Sequence, residues 1–428
     1  MRRLYDLIAY ALAPVYCGAL LSRGIAERGY WQNFRERFGF GSALETSSVW
    51  LHAASVGEVQ SCAPLARALR RALPDAPLVL TTSTPAGAAR ARALLRDEHV
   101  HVRFAPLDLP GAVRRFLGRA RPRLGIVLET ELWPNLYEAC GRRGIPVALA
   151  SARMSERSAR RYGWLRGPFE RALAICELVA VQTEVDAGRF LALGSRPDRT
   201  RVVGNLKFDI EVPAGTPARG RSLRERHAVG RPVWVAGSTH EGEEAAALEA
   251  HARVREAHPG ALLVIAPRHP PRFGEVAASL ERRGVRFARR SRDETCDAAT
   301  EVLLLDSIGE LLDFYAAADV VFVGGSLVPV GGHNLLEPAA LARPIIAGPH
   351  LKSVAESARL LAERRALEIA HDAGALARTL THLLADPQSL ARMGERALSV
   401  VAENRGALAR LLALIEPLLA RAQDGPKR

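Results

Sequence analysis

The chain has little cysteine: five residues in 428, at Cys17, Cys62, Cys140, Cys176 and Cys296, with no Cys-x-x-Cys pair among them. That spacing excludes a metal knuckle or a paired redox centre and fits reduced thiols in a cytoplasmic compartment. Aromatic residues make up only 6% of the sequence, and the basic residues are scattered through amphipathic stretches instead of forming one block. With no base-stacking signature and no nucleic-acid-binding motif, nucleic acid is not expected as a partner. Internal repeats and low-complexity tracts are absent too, which excludes a solenoid. His99 and His101 in "EHVHVRF" could face the same side of a strand, but two histidines without a third ligand are more often a polar strand face, so no metal is expected there.

What is present begins with length and charge. A chain of 428 residues suggests two domains, each large enough for its own core. Lys and Arg number 59 against 46 Asp and Glu, a formal net charge of +13, which points to an anionic partner such as phosphates or lipid headgroups. Leu4 to Leu21 carries one charge, Asp6, over about the length of a membrane span, with Arg2, Arg3 and Arg23 at its flanks. Three readings stay open: it spans the membrane, lies in its surface, or packs as an ordinary buried helix broken near Pro14. A cleaved signal peptide fits less well, because Asp6 interrupts the apolar region and no persuasive cleavage site follows. Arg23, Arg28, Arg35 and Arg37 would hold the next residues against an anionic cytoplasmic membrane surface.

Apolar β-branched runs alternate with Ala-, Leu- and Arg-rich helical stretches, the pattern of parallel sheets covered by helices. Strands are expected at "VWLHA", "LVLTT", "VRFAP", "LGIVLE", "PVALAS" and "LVAVQ", then at "VWVAGS", "LLVIAP", "EVLLLD", "VVFVGG" and "PIIAG". The fold class is α/β, with two doubly wound domains: a membrane-associated segment over 1–23, a first domain over 24–208, a Pro-, Gly- and Arg-rich linker over 209–232, and a second domain over 233–428 that ends in long helices and a short polar tail.

Several strand-to-helix turns carry chemistry. In "HAASVGEVQ", Ser55 and Gly57 belong to a turn of small residues that lets a ligand approach, and Glu58 falls in the first turn of the next helix. Helix capping alone would explain an acid there, so Glu58 has a bland reading and a catalytic one. In the second half, "VWVAGSTHEGEE" places Gly237, Ser238 and Thr239 where backbone N–H groups and hydroxyls can hold a phosphate or simply cap a helix. "VIAPRHPPRF" fixes Arg268 and His269 between prolines, and Arg suits a bidentate grip on phosphate. In "VVFVGGSLVPVGGHNLLEPAA", Gly324, Gly325, Gly331 and Gly332 allow backbone N–H groups to converge as an anion nest. Asn334 and Glu337 share a helix face suited to ribose hydroxyls. No Asp-x-Asp occurs, so a sugar-nucleotide enzyme here would neutralise its leaving phosphate with Arg268, Lys207, hydroxyls and helix dipoles, without metal.

The blocks "HAASVGE", "TTSTPAG", "ETELWPN", "ARMSERSA", "VGNLKFD", "GSTHEGEE", "APRHPPRF", "FVGGSLV" and "GGHNLLEPA" occur in the order and spacing of the bacterial Kdo transferases, where Kdo is 3-deoxy-D-manno-octulosonic acid. The chain resembles this family over nearly its whole length. The resemblance implies a GT-B glycosyltransferase with two Rossmann-like domains facing across a cleft, the first binding acceptor and the second CMP-Kdo, and no cofactor. It implies transfer to a tetraacylated lipid A precursor at the cytoplasmic face of the inner membrane, with Glu58 as general base and inversion at the anomeric carbon. Pro267, Arg268, Asn334 and Glu337 match family positions that bind CMP. Gly237, Ser238, Thr239, His269, His333 and Lys207 extend that donor site, while Ser55, Gly57, Glu129, Glu131 and Arg153 belong to the acceptor side, the last three as pocket or as loop braces. Two departures stand out: "LKSVAESA" follows "AGPH" where an aromatic, asparagine-containing segment is common, and Leu335 replaces a usual proline. The competing readings are another GT-B enzyme using a UDP-sugar, and a non-catalytic membrane-bound lipid or nucleotide binder.

Overall fold

Short apolar runs rich in Val, Ile and Leu become buried parallel strands in the computed structural model, which describes residues 2–164 and 166–423. The first sheet contains β1 (Ser48–His52), β2 (Leu78–Thr82), β3 (Val100–Phe104), β4 (Pro122–Leu128), β5 (Val147–Ala152), β6 (Cys176–Val181) and β7 (Thr200–Val202), in the order β3-β2-β1-β4-β5-β6-β7. The second contains β8 (Val233–Thr239), β9 (Leu262–Pro267), β10 (Phe287–Arg289), β11 (Val302–Leu304), β12 (Val320–Val323), β13 (Ile345–Ala347) and β14 (Leu367–Ile369), in the order β10-β11-β9-β8-β12-β13-β14. In each sheet the chain turns back beside its first strand, so β1/β4 and β8/β12 are switch points where the carboxyl ends of neighbouring strands open a crevice. The residues following β1 and β8 therefore occupy the positions at which such sheets bind ligands.

"LVLTT" and "LLVIAP" coincide with β2 and β9, and the other expected strands differ from the observed ones by a few residues at their ends. The three strands the periodicity does not reveal, β7, β10 and β14, are three residues long and lie at sheet edges. Their apolar run is too short to distinguish them from loop, and Arg201, Arg289 and Glu368 dilute it further.

The domain boundaries differ from those expected. Residues up to Asp209 and from Asn404 onward form one unit, and Ile210–Glu403 form the other. The C-terminal helix Ala407–Gln423 thus belongs to the first unit, not the second. Its Ala407, Leu411, Ile415 and Leu418 lie on one face and join Leu124, Ile126, Ala148 and Ala180 in a core shared with the helix Val56–Ala72, covering the β4–β6 part of one sheet face. The Asp209 carboxylate fixes the start of this helix by accepting from the N–H groups of Gly406 and Leu408, each at 2.6 Å. Nor is the stretch 209–232 only a linker. Thr216–His227 is a helix of the second unit, held by Arg219 to Asp313 (2.8 Å) and Arg224 to Asp319 (2.9 Å). Gly220 brings it so close to Ala316 that a Cβ would meet that residue at 2.6 Å.

The N-terminal segment is a helix, Arg2–Ala26, with Pro14 inside it. Among the described residues one stretch, Leu4–Ala26, is long and apolar enough to cross a membrane, with mean hydropathy 1.6 and 6% of it buried. Leu7, Val15 and Ile25 are 67%, 69% and 78% exposed, which rules out the buried-helix reading. Tyr5 ties the helix to the first unit by donating to Asp108 at 2.9 Å, and Trp31 donates back to the Leu21 carbonyl at 2.9 Å. The expected polar tail at 424–428 lies outside the described residues.

Candidate active site

β1 delivers the chain to Ser55, which caps the helix Val56–Ala72. The Ser55 hydroxyl accepts from the Glu58 N–H at 3.3 Å and donates to Glu58 Oε1 at 2.8 Å, while the Ala54 N–H donates to Oε2 at 2.8 Å. This reciprocal N-cap pairing, a variant of the capping box in which Glu58 takes the Ala54 N–H and the Ser55 hydroxyl instead of the N-cap N–H, is the bland reading realised. It does not exhaust the carboxylate, because each oxygen keeps a further lone pair and a Cβ built on the neighbouring Gly57 would meet no atom within 4 Å. Burial, then the charge of Glu129, pushes the Glu58 carboxyl above its ordinary range, against the opposing hydrogen bonds and Lys207.

Glu129 follows β4 with a left-handed backbone, φ +55°. Its oxygens take Lys207 Nζ at 2.8 Å and Arg153 Nε at 3.0 Å. Burial works to raise this carboxyl, but the two cations outweigh it and hold it below its usual value. Glu131, two residues on, accepts from the indole N–H of Trp133 at 2.9 Å. Burial, followed by the charge of Glu58, pushes it up to about 7. The first unit thus gathers one clamped anion, one carboxylate of raised basicity and one acid poised near neutrality, a spread that allows different protonation roles. Ser55, Glu58, Glu129, Glu131 and Arg153 lie close together in the first unit. Lys207, expected on the donor side, joins them in the first unit.

The second unit places Arg268 and His269 after β9, His240 after β8, and His333 before the helix Leu336–Ala340. Arg268 is exposed and makes no ion pair with a described residue, although its backbone N–H is fixed to the Thr239 carbonyl at 2.9 Å. His240 Nε2 lies 2.8 Å from His333 Nε2 with the rings nearly parallel, 9° apart, and His269 stands edge-on to His240 with ring centres 5.3 Å apart. Asn334 donates to Glu337 at 3.1 Å and accepts from the Leu336 N–H at 3.0 Å, so these two do share one polar face. Pro267 is buried at the end of β9, and Ser238 is half-exposed with a left-handed φ of +57°.

Three expected donor features have other partners. The anion nest at the glycine turns is filled by the protein's own Glu243, which is fully buried. Glu243 Oε1 accepts from the N–H groups of Ser326 and Leu327, both at 2.9 Å, and Oε2 from those of Gly325 at 2.7 Å and His240 at 2.9 Å. The N–H groups of Gly331, Gly332 and His333 return to the carbonyls of Gly324 and Gly325. Thr239 is buried and donates to Glu244, while Gly237 makes room for Tyr315, whose hydroxyl would lie 2.1 Å from a Cβ there. No role is expected from sequence for Glu243 or His240, although both lie in "GSTHEGEE" beside the turn singled out there. Among the described residues no three His, Cys, Asp or Glu side chains converge as metal ligands.

Residues 32–210 match the family described as 3-deoxy-D-manno-octulosonic-acid transferase (kdotransferase). A 3-deoxy-D-manno-octulosonic acid transferase of Haemophilus influenzae is 40% identical over 419 residues, 97% of either chain. Another from Bordetella pertussis is 39% identical over 90% of this chain and 92% of its own. MurG of Acinetobacter baumannii, a solved structure, superposes on 87% of this chain and 100% of its own with a TM-score of 0.53 at 13% identity, a likeness of fold alone. The two seven-stranded doubly wound sheets are those of a GT-B fold.

Proposed function

The chain belongs to the 3-deoxy-D-manno-octulosonic acid transferases and is a glycosyltransferase, and we propose that it moves Kdo from CMP-Kdo to a tetraacylated lipid A precursor, with Glu58 as general base. The observation that carries this reading is the raised basicity of Glu58 at a sheet switch point, beside an open Gly57. Glu58 takes the proton of an acceptor sugar hydroxyl as that oxygen forms its bond to the anomeric carbon of Kdo. The bond from that carbon to the phosphate oxygen breaks, and CMP leaves with the electron pair. Because the leaving group is a phosphate, it needs no separate acid, unlike the sugar oxygen expelled in glycoside hydrolysis. One displacement gives inversion. Arg268, with the neighbouring histidines, neutralises the phosphate in place of a metal, while Asn334 and Glu337 take the ribose and Pro267 and Ser238 border the nucleotide. Arg153 and Lys207 keep Glu129 ionised, and this holds the acceptor-side loops together.

The exposed apolar helix Leu4–Ala26 and the exposed Arg23, Arg28 and Arg35 support a membrane site for this reaction, at the cytoplasmic face of the inner membrane, where a lipid acceptor and anionic headgroups are met together. Arg37, expected to join them, is instead buried against Phe104 and donates to the Ser83 carbonyl. The test is incubation of the full chain with CMP-Kdo and a tetraacylated, bisphosphorylated lipid A precursor, with and without EDTA, beside Glu58→Gln, reading product masses. Transfer that survives EDTA and falls about 10²–10⁴-fold in Glu58→Gln is expected for loss of a general base. Undiminished turnover by Glu58→Gln would remove Glu58 from that role, and transfer only from a UDP-sugar would replace the donor.

A further inference from the structure

The His240–His333 contact sets a strict proton count. A hydrogen bond between two Nε2 atoms 2.8 Å apart holds one hydrogen. One ring therefore donates from Nε2–H and leaves its Nδ1 bare, while the other accepts on Nε2 and carries its proton on Nδ1. Protonating both rings fully would set two N–H groups against each other. Gly325, at φ +67°, forms the floor of this arrangement, since a Cβ there would meet the His333 ring at 2.9 Å.

The groups facing the pair are mostly cationic. Arg268 and His269 approach from the turn after β9, and Arg272 from the helix that follows, where it is paired with Glu244 at 3.1 Å. Glu243 faces His240 from the helix Glu243–Ala257, but its oxygens are already engaged by four backbone N–H groups. Burial, then Arg268, lowers His333 to about 4, and His240 and His269 are lowered as well. At neutral pH the pair is uncharged beside an exposed guanidinium.

We propose that the His240–His333 pair is the proton-accepting half of the phosphate site, so that an anionic phosphodiester seated on Arg268 binds together with one proton. The proton comes from solvent and enters at the bare Nδ1 of the donating ring. That ring becomes an imidazolium while the Nε2–H···Nε2 bond persists, and the new cation faces the phosphate. The physical cause is a reversal of the local field: the phosphate's charge offsets Arg268 and Arg272, which otherwise hold protons off the pair. With the backbone nest occupied by Glu243, side-chain cations are what this part of the unit offers a phosphate. The inference rests on the donor reading above.

The sign follows from linkage. Binding raises the pair's affinity for a proton, so affinity for the ligand tightens as pH falls, by up to about tenfold per pH unit between the bound and free values. The probe is the 5′-methyl ester of CMP, whose single phosphate charge does not titrate in this range. It is titrated calorimetrically into the full chain in detergent from pH 8 to 5.5, in two buffers of different ionisation enthalpy. Uptake approaching one proton, with affinity rising toward acid, is the expected result. His240→Asn and His333→Asn, checked for native melting, should bind with the uptake abolished, while His269→Asn retains it. Binding in wild type that is independent of buffer and pH would overturn the proton-coupled pair and leave the donor reading standing. No binding at any pH would overturn both.

Discussion

Replacing Glu243 with Gln changes one atom in a fully buried side chain, yet the geometry predicts a large loss of stability. Each carboxylate oxygen accepts two backbone N–H groups, from Ser326 and Leu327 on one side and from Gly325 and His240 on the other. Whichever way the amide is turned, its NH₂ faces two donors. Leaving each of those donors unmatched costs roughly 1–3 kcal/mol, and the remaining two bonds lose the strength an ionised acceptor gave them. The sum is about 4 kcal/mol. For a unit of about 190 residues this corresponds to a fall in melting temperature of roughly 8–16 °C. Calorimetry of the full chain in detergent should show that shift in the transition of the second unit while the first unit's is unmoved. Glu243→Asp, which keeps the charge on a shorter arm, should recover part of the loss. A shift below about 3 °C in Glu243→Gln would mean that the buried charge does not hold the glycine loops, and the reasoning would fail.

Glu131→Gln keeps an acceptor for Trp133 but removes a carboxyl pushed up to about 7. In the wild type the folded first unit retains this proton where the unfolded chain, near 4.5, has lost it, so stability falls as pH rises from about 4.5 to 7. The variant should therefore gain on the wild type across that window and hold a constant lead above it, read as the difference in melting temperature against pH. Lys207→Met leaves Glu129 with Arg153 and should cost about 1–2 kcal/mol in urea unfolding at pH 7, discounted for the partly exposed amine. Because Glu129 is held below its ordinary value, that cost should shrink as pH falls below about 4.5 and the carboxyl protonates. Gly325→Ala combines a positive φ with a methyl against His333. It should lower stability by roughly 1–2 kcal/mol and weaken nucleotide binding in the same calorimetric titration.

The alternation of strand and helix, the cap at Ser55 and the turn carrying Glu58 are local, and periodicity with capping chemistry makes them legible. The glycine turns and the acidic first turn at Glu243 are visible as well, but as two separate features. That each satisfies the other depends on β8 lying beside β12, a pairing of Gly237 with Val323 that no window of sequence contains. The same holds for Lys207, whose neighbour in sequence is a boundary and whose neighbour in space is Glu129. The helix Ala407–Gln423 reads as amphipathic from its spacing, but amphipathicity says only that a face is covered, not by which sheet. Short edge strands go unread because three residues carry too little pattern.

That helix has a consequence for how the chain is made. Ile210–Glu403 is continuous and can close its core as soon as it leaves the ribosome, whereas the sheet begun at Ser48 waits for Ala407, Leu411, Ile415 and Leu418. At about 5–20 residues per second the interval is roughly 10–40 s. During it, Leu124, Ile126, Ala148 and Ala180 lack the helix that covers them in the finished unit. The order of synthesis thus lets the second unit complete its core before the first receives its last helix.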